Sequence, residues 1–295
     1  MEHHTYRIAL AQLNLNGMPE RNLAVCKDSV KEAAAGGAQV VCLPELYSTY
    51  YFCQSESTEN FRFAESRKGL SYNAFSRLAG ELNIVIIVPF FEKRTAGIYH
   101  NSAYVIDADG SEAGFYRKMH IPDDPSYYEK FYFTPGDLGY SAHNTSFGVI
   151  GVLICWDQWY PEAARLTALR GAEILFYPTA IGWHPHEKKK YGKAQHDAWM
   201  TVQRGHAIAN GIYVAAVNRV GLEKPVPDSA GIEFWGSSFI CGPQGEILAQ
   251  ASTDKEEIIY ATIDTSLMED VRQNWPFLRD RRIESYSDIT KRSID

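Results

Sequence analysis

Short apolar runs of strand length alternate with amphipathic stretches of helical period along most of the chain. Tyr6 to Leu13 predicts a strand, Pro19 to Ala35 a helix stopped by Gly36 and Gly37, and Val40 to Leu43 a second, buried strand. A helix from about Ser71 to Leu82 leads into the β-branched run Ile84 to Phe90, and a hairpin follows with its turn at Asp109-Gly110. The second half repeats the plan. Phe147 to Ile154 predicts a strand, Pro161 to Arg170 a helix, Ile174 to Tyr177 a strand, and Gly192 to Asn210 a long helix closed by Gly211. The strand Tyr213 to Val217 and a hairpin turning at Gly242 to Gly245 complete it.

Each half therefore runs β-α-β-α-β and then a hairpin. Such alternation predicts an α/β fold, and two similar halves predict two mixed sheets packed together with helices outside, a four-layer α-β-β-α sandwich. No Pro-, Gly- or Ser-rich linker separates the halves, so a single domain over 1–295 is expected, its core spanning about 6–264. The polar tail 265–295 is expected to drape over a neighbouring subunit or stay loose.

With 295 residues the chain can bury about three quarters of its unfolded surface without disulfides or a structural metal. A formal net charge of −7 argues against a nucleic-acid partner, which needs a basic face, and is compatible with a small cationic substrate. Cys26, Cys42, Cys53, Cys155 and Cys241 are odd in number and form no C-x-x-C pair, which fits reduced thiols in a cytoplasmic protein. No apolar run approaches the ~20 residues of a membrane span.

Cys155 closes the apolar strand GVIGVLIC and is followed by a turn and a helix. A thiol there lies near orphan N–H groups that favour negative charge, which suits a nucleophile; a buried structural thiol is the competing reading. Glu45 stands beyond another apolar strand, after Pro44, and Lys118 ends a hairpin strand. Strand C-termini are where α/β folds keep ligands, although a capping carboxylate and a surface lysine are the bland alternatives for these two. The histidines His184, His186, His196 and His206 lack any H-E-x-x-H or Cys-rich pattern, so no metal is expected.

Taken together, P-E-L at 44–46, Y-R-K at 116–118 and C-W-D-Q-W-Y-P-E-A-A-R at 155–165 resemble the nitrilase superfamily of carbon–nitrogen hydrolases. F-Y-F-T-P-G-D at 131–137 and the stretch from Gln195 to Gly211 match it too, so the resemblance runs from about Tyr6 to Asp264. It implies the same four-layer sandwich, a homo-oligomer and no cofactor. It also implies that Cys155 is the nucleophile, Glu45 the base, Lys118 an oxyanion stabiliser with the backbone N–H of Trp156, and Glu129 a second glutamate positioning substrate or lysine.

Within the family, C-W-D-Q-W-Y-P-E is most similar to members that hydrolyse N-carbamoylputrescine to putrescine, carbon dioxide and ammonia. Asp157 stands where relatives acting on carboxylates commonly place arginines, and an unpaired carboxylate beside it is penalised. Tyr47, Tyr51, Tyr127, Tyr132, Trp156, Trp159 and Trp183 are expected to line an aromatic site for a cation, with His120, Asp157 and either Asp123 or Asp124 as polar contacts, unless the D-D-P segment serves only as a turn. The alternatives are another amidase or ureidase acting on β-ureido acids or aliphatic amides, and a catalytically silent member that binds a metabolite.

Overall fold

The computed structural model describes residues 3–225 and 229–295. Helix Pro19–Ala35 starts with proline at its first turn, where no N–H is needed. Helix Lys188–Asn210 ends at Gly211, whose φ of 57° is the left-handed cap that glycine adopts without strain. This helix begins a turn earlier than its apolar pattern predicts, so Lys188 to Lys190 are its first residues and not a loop. Lys188 is held there by Glu233 at 2.7 Å and by the face of the Trp183 ring.

The doubled plan is visible in the strand pairing. In the first sheet Thr5–Gln12, Val40–Cys42 and Val85–Thr95 run parallel, and Ile98–Ile106 and Glu112–Arg117 add antiparallel. In the second, Val149–Val152, Ile174–Pro178 and Tyr213–Val217 run parallel, and Phe239–Cys241 and Ile247–Gln250 add antiparallel. Two edge strands were not expected from the sequence. Glu257–Asp264 returns to pair with Thr5–Gln12, with Tyr6 opposite Ile263, and Ala142–Asn144 pairs with Val149–Val152. A small third sheet of Gly182–Trp183, Ile232–Trp235 and Val220–Glu223 was equally unforeseen.

Alternation along the strands builds the layers. Ile8, Leu10, Val85 and Ile87 face the second sheet and share one core with Ile150, Val152, Ile174 and Phe239. Ala9, Ala11, Ile86 and Val88 point the other way, against Cys26 and Val30 of helix Pro19–Ala35 and Phe75 and Leu78 of helix Leu70–Leu82. Helices Pro161–Ala168 and Lys188–Asn210 contribute Ala163, Ala164, Trp199 and Ala207 to the core on the far side. The order is helix, sheet, sheet, helix.

The tail is partly ordered. Asp264 caps helix Thr265–Asn274 by accepting from Ser266 N, and the helix buries Met268 and Val271. Beyond it Trp275, Phe277, Ile283 and Ile289 are exposed. Among the described residues no helix is long and apolar enough to cross a membrane.

Candidate active site

Both sheets send the ends of their central strands to one place. Past Val40–Cys42 the chain reaches Glu45, which is fully buried, and turns at Leu46 with φ 49°. A left-handed residue other than glycine costs roughly 1 kcal/mol or more and persists only where its surroundings hold it. Arg219 supplies that hold. Its buried guanidinium donates to the carbonyls of Glu45 at 3.0 Å, of Leu46, and of Thr49 at 3.0 Å, and to the Glu223 carboxylate at 3.0 Å. Glu223 also accepts from the N–H of Tyr51 at 2.6 Å, and the Tyr51 hydroxyl donates to Glu129 at 2.6 Å.

Lys118 directly follows Glu112–Arg117. Its N–H donates to Asn101 and its carbonyl accepts from Gly136, each at 2.8 Å. A Cβ on Gly136 would stand 2.2 Å from the Arg117 carbonyl, so only glycine lets the crossing segment pass. The Lys118 ammonium is wholly buried and donates to Glu45 Oε1 at 2.8 Å and Glu129 Oε2 at 2.6 Å. Asn101 donates to the same Glu45 oxygen at 2.7 Å, while Glu45 Oε2 is buried with no hydrogen-bond partner in the protein. One carboxylate oxygen is thus fixed and the other is left free to take a proton.

Cys155 opens the tight turn Cys155–Trp159 with φ 44° and is 4% exposed. Its thiol makes one weak contact, to the Ala180 carbonyl at 3.9 Å. Burial pushes the thiol's pKa up and the Glu45 charge adds to this, with Lys118 working against both, so the resting group is a thiol. Burial works to lower the Lys118 pKa, but Glu129 and Glu45 outweigh it and hold the ammonium well above its ordinary range. Glu129 is pushed up to about 7, by burial first and then by Glu45, despite its pairing with Lys118. A neutral thiol beside a carboxylate and a permanent ammonium can exchange its proton with the carboxylate and attack a carbonyl whose developing oxyanion faces the ammonium.

The turn after Cys155 is fastened on two sides. Asp157 is wholly buried and accepts from Ile154 N at 2.9 Å, Tyr116 OH at 2.7 Å, His120 N at 3.0 Å and His120 Nδ1 at 2.7 Å. Gln158 accepts from Trp199 Nε1 at 2.9 Å, and its carbonyl from His206 Nε2 at 2.8 Å. Above the thiol lies a cavity of about 480 Å³ lined by Tyr127, Trp156, Asp124, Glu187, His184 and Gln195, among others.

The structure therefore brings Glu45, Lys118, Glu129 and Cys155 together, with Trp156 at the cavity wall. Of the other residues expected to meet substrate, Tyr51 reaches the cluster through Glu129. Asp157 does not face the cavity, because its lone pairs are committed to protein donors, and the inference of a cationic substrate from that residue loses its footing. Asp123 is exposed and its neighbour Asp124 lines the cavity instead. Tyr47 sits behind the first sheet, sharing a 2.6 Å bond with Ser71. Tyr132 is spent on Asn60 and Ser57 within an aromatic cluster, and Trp183 on the Gly192 carbonyl. Trp159 packs edge-on to Trp156, and His120 lines a separate depression stacked on Tyr160 at 3.7 Å.

Asn101, Arg219, Glu223 and Glu187 were missed. The first three carry no motif; a run such as NRVGLE gives no sign that its arginine reaches residues 45–49. Glu187 opens the charged run Glu187 to Lys190, which reads in sequence as a solvated loop and gives no sign of a cavity wall. Among the described residues no group of three or more His, Cys, Asp or Glu is placed to hold a metal ion.

Two facing mixed sheets under outer helices, with a thiol, a carboxylate and an ammonium beyond their strand ends and a second carboxylate on the ammonium, are the arrangement of the nitrilase-like hydrolases. The chain belongs to the carbon–nitrogen hydrolase family, whose pattern matches residues 7–273. It is 46% identical over 268 residues to an N-carbamoylputrescine amidase of Arabidopsis thaliana, covering 90% of this chain and 88% of that one. A citrullinase of Francisella tularensis is 42% identical over 287 residues, covering 97% of this chain and 98% of that one. The crystal structure of a carbon–nitrogen hydrolase from Helicobacter pylori superimposes with a TM-score of 0.95 at 49% identity, covering 99% of this chain and all of the other.

Proposed function

We propose that the protein hydrolyses N-carbamoylputrescine to putrescine, carbon dioxide and ammonia through a covalent intermediate on Cys155. Glu45 takes the thiol proton on its free oxygen as sulfur attacks the carbamoyl carbon. The oxyanion accepts from Lys118 and the Trp156 N–H, groups of a kind each worth about 3 kcal/mol in a transition state. Collapse expels one nitrogen, which receives the proton from Glu45. Glu45 then deprotonates water, which attacks the thioester-like carbon, and the second collapse restores the thiol and its proton. When the diamine leaves first, the released carbamic acid breaks down to carbon dioxide and ammonia.

The observation that carries the substrate assignment is the charge of the cavity over Cys155. Its described lining holds the carboxylates Asp124 and Glu187 and the rings of Tyr127 and Trp156, with no lysine or arginine. That environment favours an ammonium tail by charge and by ring faces, and gives a carboxylate tail no cation to pair with. The Arabidopsis relative named for this substrate supports the same reading. A homo-oligomer and a cytoplasmic site belong to the proposal. The exposed Trp275, Phe277 and Ile283 support the first, and five buried, unbridged cysteines support the second. One domain over 1–295 also belongs to it, supported by the core that the two sheets share.

The test is ammonia release from N-carbamoylputrescine, N-carbamoyl-β-alanine and L-citrulline side by side, with Cys155→Ala as blank. The amine is expected to lead in kcat/KM by at least about tenfold over either acid, since an unpaired carboxylate in the cavity is strongly penalised. Preference for N-carbamoyl-β-alanine or citrulline would overturn the substrate assignment and leave the thiol chemistry standing.

A further inference from the structure

We infer that Asp157 is a positioning residue for this hydrolysis, clamping the Cys155 turn to the Lys118 segment so that thiol and ammonium keep one separation. The inference rests on the roles proposed above for Cys155 and Lys118.

Its four hydrogen bonds divide between the two segments. Ile154 N belongs to the residue before the thiol, at the end of the second sheet's strand Val149–Val152. Tyr116 OH, His120 N and His120 Nδ1 come from the residues two before and two after Lys118, at the end of the first sheet's strand Glu112–Arg117. One wholly buried side chain thus joins the two sheets beside the reacting atoms. Oδ2 spans Ile154 and Tyr116, and Oδ1 takes both donors of His120. The His120 ring lies flat on Tyr160, at 3.7 Å and 4° between planes, so the far end of the same turn braces the clamp.

Two physical arguments make this more than packing. The φ of 44° at Cys155 is a strained conformation that lasts only where neighbours over-determine it, and the Asp157–Ile154 bond closes that turn. A carboxylate with no exposure also needs every donor it has, so a shift of either segment is strongly resisted. Displacements near 1 Å between reacting groups cost up to about a hundredfold in rate.

Asp157→Asn keeps the shape but turns an NH2 toward donors. It is expected to lower kcat about tenfold to a hundredfold with KM within about twofold, because geometry and not binding is disturbed. Tyr116→Phe and His120→Ala, which each loosen one side of the clamp, are expected to give smaller losses of the same kind. In the Asp157→Asn background Lys118→Ala is expected to cost less than in the native enzyme, since a misaligned ammonium has less to lose. All rates are taken per titrated Cys155 thiol, so that unfolded protein does not count. The inference is overturned by unchanged kcat with only a lower melting temperature, by additive losses with Lys118→Ala, or by a rise in KM alone. If Asp157→Asn fails to fold, unchanged kcat in both Tyr116→Phe and His120→Ala overturns it. Activity persisting in Cys155→Ala would instead bring down the mechanism beneath it, a separate and distinguishable result.

Discussion

Glu129 is the residue whose charge state most affects the cluster. Its carboxyl is raised to about 7 by burial and by Glu45, while it shares Lys118 with Glu45. When it takes a proton, the Lys118 ammonium is drawn to Glu45 as its remaining charged partner, so Glu45 is held by the lysine and is less available to the thiol. The expected kcat/KM profile therefore rises with pH through about 7 and then levels. In Glu129→Gln that limb should vanish at a lower plateau; an identical limb in both proteins would assign it to another group. Stability runs the opposite way. A carboxyl raised above its unfolded value of about 4.3 stabilises the fold while protonated, and that contribution is lost as pH rises through the folded value. The residues of this cluster were legible because Glu45, Lys118 and Cys155 each sit at a strand end inside a short recognisable string. Asn101 was not, since an asparagine inside a strand shows its role only when its amide is seen on Glu45 at 2.7 Å.

At the scale of elements, periodicity and capping located the helices well. Helix Pro19–Ala35 has its proline at the first turn and its glycines just beyond, and the predicted bounds match. Pairing across long separations left less trace. Glu257–Asp264 was placed in the core but given no element, yet it closes the edge of the first sheet against Thr5–Gln12. The loop from Glu45 to Tyr51 was equally opaque, for it is shaped by Arg219 and Glu223, which lie 170 and 172 residues along the chain from their partners Thr49 and Tyr51. Arg219→Ala should destabilise the protein by about 3–5 kcal/mol, because Glu223 is left as an unpaired buried charge and the carbonyls of Leu15, Glu45, Leu46 and Thr49 lose a donor. Chemical denaturation would measure this; a loss below about 1 kcal/mol would show that the loop holds itself.

The whole molecule combines two weakly similar halves into one catalytic edge. The repeat was readable from the order of runs and turns, because each half must cover its own sheet with its own helices. The cavity was readable in part, through Asp124, Tyr127 and Trp156. Its charge comes from Asp124 on one half and Glu187 on the other, whereas sequence proximity pointed to Asp157, which faces inward to Tyr116 and His120. The cationic-substrate reading therefore stands on Asp124, which the sequence offered, and on Glu187, which it did not, and no longer on Asp157. The most direct test of the account is intact and peptide mass spectrometry of the native enzyme, acid-quenched during turnover of N-carbamoylputrescine. Quenching traps the covalent intermediate that the mechanism places on Cys155 during turnover. One acyl group is expected on the peptide containing Cys155, its mass showing whether putrescine or ammonia leaves first, and none in Cys155→Ala. An unmodified Cys155 peptide in an enzyme that still turns over, or an adduct on Cys53 instead, would contradict the account.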